Sequence, residues 1–99
     1  MRINFVQREG GPERLAAEAE IVFEEPQLSG LRLVGFSLWR SPEGEIYVTF
    51  PSRAFGAGSE RRFFDFLRPV NGDAAPTKML KQAIIDAYKA EATDPVNAA

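Results

Sequence analysis

Between Glu13 and Glu25 the pattern of the chain contradicts its composition. Alanine and glutamate predominate there, and both favour helix. Yet Leu15, Ala17, Ala19, Ile21 and Phe23 fall on every second residue, with Glu18, Glu20 and Glu24 in the alternate positions. A strand turns alternate side chains to opposite faces, so this spacing gathers the apolar groups on one side, whereas a helix would scatter them around its circumference. The pattern predicts a strand with one dry face and one charged face. Such a strand needs a sheet beside it and a layer over it.

The neighbouring segments supply that sheet. Ile3 and Phe5 alternate with Arg2, Asn4 and Val6, which suits a short edge strand closed by Gly10, Gly11 and Pro12. Pro26, Ser29 and Gly30 mark a turn, and the apolar run Leu31 to Trp39 reads as the central strand. In Arg40-Ser41-Pro42-Glu43-Gly44-Glu45, Pro42 starts a tight turn and Gly44 accepts positive φ, so the chain folds back. Ile46, Val48 and Phe50 then face one side and Tyr47 and Thr49 the other, with Trp39 and Tyr47 toward opposite ends of the hairpin. Pro51 ends that ladder, a loop leads to Glu60, and a last strand runs from Arg61 to Leu67 until Pro69 stops it. Pro76 suits the first turn of a helix in which Leu80, Ala83, Ile84, Ala87 and Tyr88 form one apolar face, with Lys78, Lys81, Gln82 and Lys89 largely opposite.

The expected fold is therefore α+β, a small antiparallel sheet of four to five strands followed by a C-terminal amphipathic helix. Ninety-nine residues fit one domain, assigned to 1–91, with 92–99 as a flexible tail. A core this small leaves much surface uncovered, and eight Phe and one Trp are many for it to bury, so an intertwined homodimer is expected.

Composition removes most chemistry. Without His or Cys the chain lacks the usual general base near neutral pH, a thiolate nucleophile and the common zinc ligands. The carboxylates Glu18, Glu20 and Glu24 read as a solvated strand face, and Asp65, between Phe64 and Phe66, reads as paired or solvent-facing. No catalytic residue, metal, cofactor or small-molecule substrate is expected. Gly56-Ala57-Gly58 lacks the Gly-Lys-Ser/Thr ending of a phosphate loop and reads as a hairpin tip. No stretch of about 18 apolar residues suggests a membrane span, and the N-terminal residues lack the apolar centre of a secretory signal; a cytoplasmic protein is expected.

What remains is charge. Residues 1–50 hold five Arg against eight Glu, whereas residues 51–90 hold seven Lys or Arg against four acids, so positive charge gathers in the second half. Arg53 lies on one side of the Gly56–Gly58 tip and Arg61 and Arg62 on the other, while Lys78, Lys81 and Lys89 follow on the helix. Cations placed this way read either as independent charges on a solvated surface or as phosphate contacts, each contact releasing counterions. Trp39 and Tyr47 are read first as core or dimer packing and second as stacking surfaces for bases.

At Phe50-Pro51-Ser52-Arg53 the chain resembles the stage V sporulation protein G family, also called septation protein G. The similarity continues through Phe63, Asp65 and Phe66, through Arg68-Pro69-Val70-Asn71 where the family has His-Pro-Ile-Asn, and into the helix at Ala83, Ile84, Ile85 and Tyr88. Upstream, the strands around Ala17 to Ile21 and Leu33 to Leu38 fall where the family has strands, so the resemblance covers residues 2 to 90. It implies a homodimeric bacterial regulator in sporulation, septation or wider gene control that binds DNA and, as some members do, RNA. Carried over, it implies that the region where the helix begins contributes to sequence preference. The expected phosphate-binding residues are Arg53, Arg61, Arg62, Arg68, Lys78 and Lys81. The alternative expectation is a non-catalytic protein–protein interaction module acting on a division or regulatory partner.

Overall fold

Strand β2, Leu15–Val22, forms where the alternation requires it and lies between β1, Arg2–Val6, and β3, Arg32–Arg40. With β4, Ile46–Thr49, they make an antiparallel sheet in the order β1-β2-β3-β4. This computed structural model describes residues 1–7 and 9–93. Among the described residues two short 3₁₀ turns, Pro26–Leu28 and Gly58–Glu60, accompany the remaining strands β5, Ser52–Phe55, and β6, Arg62–Asp65, and the α-helix α1, Ala75–Thr93. The fold is α+β as the sequence predicts, and α1 runs two residues into the segment assigned to the tail; 94–99 lie outside the described residues.

One face of the four-stranded sheet is dry. Ala19, Ile21, Phe36, Leu38, Val48 and Phe50 are buried on it, and Ile84 of α1 is fully buried against them. Leu80, Ile85 and Tyr88 extend the helix contact, and Tyr88 meets Phe5 edge-to-face at 5.4 Å. Full burial of each large aliphatic or aromatic side chain contributes about 1.5–3 kcal/mol, so this sheet–helix layer is the main source of stability. Gln82 and Asp86 hydrogen-bond along the outer side of the helix at 2.8 Å. Asp73 caps its start, accepting the Ala75 N–H at 3.0 Å.

Two irregularities shape the sheet. An extra residue at Ala16 breaks the β2–β3 register, so Leu15 stands opposite Trp39 rather than continuing the dry face of Ala17, Ala19 and Ile21. A second shift sets two residues of β3, Val34 and Gly35, against Glu20 alone, with Gly35 at φ +106°. A Cβ there would lie 3.0 Å from the Cβ of buried Pro51, so glycine allows Pro51 to seat against β3.

Pro51 then separates two sheets. The segment Ser52–Phe55, read from the sequence as loop, is a strand, and it pairs with β6 alone instead of extending the main sheet. The Pro51 carbonyl accepts the Phe66 N–H at 2.9 Å and fixes the base of this second hairpin. Beyond that base β5 and β6 lean on little except each other. The radius of gyration, 15.0 Å, is larger than the roughly 13 Å of a compact domain of about 100 residues.

Candidate nucleic-acid interface

The β5–β6 register sorts the hairpin side chains into two faces. Arg53 pairs across the strands with Phe64, and Phe55 with Arg62, so these four share one face as a checkerboard of cations and rings. Ser52 pairs with Asp65 and Ala54 with Phe63, which gives the other face. Gly56, at φ +80°, makes the turn close: a Cβ there would meet the Glu60 carbonyl oxygen at 2.7 Å. The tip continues through a short 3₁₀ turn, Gly58–Glu60, before β6 begins.

On the first face the Arg53 guanidinium lies 4.9 Å from the Phe55 ring centroid. Phe55 and Phe64 meet edge-to-face at 5.2 Å. Phe66 and Arg68 continue this side, and with Phe55 and Phe64 they line an open hollow of about 510 Å³. On the second face Arg61 lies 5.1 Å from the Phe63 ring, which is 65% exposed. Phe63 also looks across an open groove of about 470 Å³ to Trp39 and Tyr47 on the outer side of the main sheet. There Trp39 Nε1 donates to Thr49 Oγ1 at 2.9 Å, fixing the indole. Trp39 and Tyr47 sit directly opposite one another, not toward opposite ends of their hairpin as the sequence reading has it, because the turn between them is tight. Neither ring is in the core.

The predicted cations divide into groups. Arg53, Arg62 and Arg68 belong to the checkerboard side, and Arg61 to the Phe63 side. Arg68 also lines a smaller hollow with Pro76, Thr77 and Leu80, which links the hairpin to the start of α1. Lys81, expected on the outer face of the helix, instead leans inward, its ammonium 5.3 Å from the Phe50 ring centroid. Lys78 is exposed in the first turn of α1. Among the described residues none of these six cations forms an ion pair. Arg32 contrasts with them, held by Glu20 at 3.2 Å on the outer face of the main sheet.

The sequence reading assigned the arginines but not the rings beside them. Phe55, Phe64 and Phe66 are not among its candidate binding residues, because a Phe carries no mark of whether its face will be covered. The available signal was the repeated placement of Arg one or two positions from Phe on both arms of the hairpin. Among the described residues no three Asp or Glu side chains come together in a way that would hold a metal ion, and no helix is long and apolar enough to cross a membrane. Compared with known protein families, curated proteins and solved structures, the chain matches none of them.

Proposed function

We propose that this chain binds nucleic acid, DNA and also RNA, as a homodimeric regulator in the cytoplasm. The observation that carries the reading is the set of guanidinium groups on the projecting hairpin. Arg53, Arg61 and Arg62 have no carboxylate partner among the described residues, and two of them are stacked on exposed rings. A guanidinium with its donors free and its plane supported is suited to a phosphate oxygen pair. Lys78, Lys81 and Arg68 near the start of the helix add further phosphate contacts. The link to septation or sporulation control rests on the resemblance at Phe50–Arg53 and Arg68–Asn71.

The uncovered hairpin supports the dimer reading. A two-stranded sheet alone is marginal in water, and a third layer would stabilise it. The face carrying Phe63 and Ala54, with Trp39 and Tyr47 across the groove, offers apolar area that a symmetric contact can cover.

Fluorescence anisotropy with mixed-sequence DNA and RNA at several salt concentrations tests the binding. Engagement of about five phosphates gives log K falling with log salt at a slope of roughly −4 to −5 on duplex DNA. Absence of binding to either polymer at low salt defeats the proposal. The rival reading, a protein-docking module, draws on the same exposed rings; it predicts a partner whose capture survives charge reversal at Arg61 and Arg62 and is lost when Phe63 and Phe66 are made polar.

A further inference from the structure

The two faces of the β5–β6 hairpin are chemically unlike, and the difference selects what each can meet. The checkerboard face carries Arg53, Arg62 and Arg68 beside Phe55, Phe64 and Phe66, with Asp65 at its rim as the nearby carboxylate. Two copies of this face apposed by a twofold axis would set arginine against arginine around a dry patch, which is unfavourable. A duplex would use the arginines but not the rings, because its bases are stacked and covered. An unpaired strand uses both, since each of its bases has a free π-face and each of its phosphates a charge.

We propose that this face binds single-stranded nucleic acid, with bases stacking on Phe64, Phe66 and the Arg53–Phe55 pair and phosphates meeting Arg53, Arg62 and Arg68. The inference deepens the nucleic-acid reading above and rests on it. Phe66 is 64% exposed, so its ring meets a base without prior rearrangement. Phe55 already has the Arg53 guanidinium over it, and a base can extend that stack on the guanidinium plane. The edge-to-face contact of Phe55 and Phe64 orients both rings, so binding orders few side chains that are not already held. The hollow they line is open to solvent, so a base can enter it.

The test is anisotropy with a labelled mixed-sequence 20-nucleotide DNA, the same DNA annealed to its complement, and the RNA of the same sequence, at matched salt. The expected result is tenfold or greater preference for the unpaired DNA over the duplex, with the RNA bound comparably to the unpaired DNA. Phe64→Leu and Phe55→Leu keep the apolar volume and remove the π-face. Each is expected to weaken single-strand binding by about fivefold or more, as loss of one stacked base does, and to leave the salt slope unchanged, whereas loss of a phosphate contact lowers it by about one. Phe64→Tyr restores binding. Circular dichroism and sedimentation of each variant accompany the titrations. Duplex bound as tightly as single strand, leucine variants that bind like the parent, or leucine variants that change from dimer to monomer each overturn the stacking face; the first two leave the broader nucleic-acid reading intact. No binding to any of the three polymers overturns both.

Discussion

Two pairs of phenylalanines in this molecule have almost the same geometry and opposite surroundings. Phe36 and Phe50 meet edge-to-face at 5.4 Å and are 0% and 5% exposed; Phe55 and Phe64 meet edge-to-face at 5.2 Å and are 45% and 48% exposed. The first pair lies between the four-stranded sheet and α1, the second on a hairpin that no helix covers among the described residues. Ring-to-ring contact therefore does not make a core. The helix does, by adding a layer that removes water from the other sides of the rings.

If that contrast is right, substitutions in the two regions separate by size. The largest effect belongs to Ile84→Ala, which empties the centre of the sheet–helix layer and should cost about 2–5 kcal/mol in urea unfolding. Gly35→Ala comes next, at about 1–3 kcal/mol, since alanine at φ +106° is strained and its Cβ meets Pro51. Asp73→Ala, which removes the cap from the helix that closes the core, should cost about 1 kcal/mol in the same assay. Phe63→Ser sharpens the comparison from the other side. Its ring is uncovered, so monomer stability should change by no more than about 0.5 kcal/mol, while sedimentation should shift toward monomer. A large loss of stability in dilute protein would mean the hairpin is integral to the monomer core. Native-state hydrogen exchange gives an independent reading: amides of β5 and β6 should exchange well before those of β2 and β3.

The sheet–helix unit was largely legible because its signals are local and redundant. Ala17, Ala19 and Ile21 alternate, Gly44 supplies the positive φ of its turn, and Leu80, Ile84 and Tyr88 repeat at helical spacing. The bulge at Ala16 was not legible, since one extra residue in a ladder leaves the alternation of its neighbours looking continuous; its effect appears in Leu15, turned to face Trp39, and in Ala16, which joins the core. In the candidate site the arginines could be found by charge. The role of the rings could not, because Phe63, Phe64 and Phe66 do not alternate cleanly and alternation in any case does not say which face a neighbour will cover. Lys81 was misplaced for a related reason: its long apolar stem lets the ammonium reach back over Phe50 although its backbone lies off the apolar stripe.

The position of Ile84 in the chain has a bearing on how the protein is made. All six strands of the described residues precede the residue that seals them, so during synthesis the sheet emerges with its apolar side still unroofed. Until α1 arrives, Phe36, Leu38 and Val48 have only water or a chaperone to meet, and nascent chains stalled before Ile84 should be the ones most readily captured by holdases.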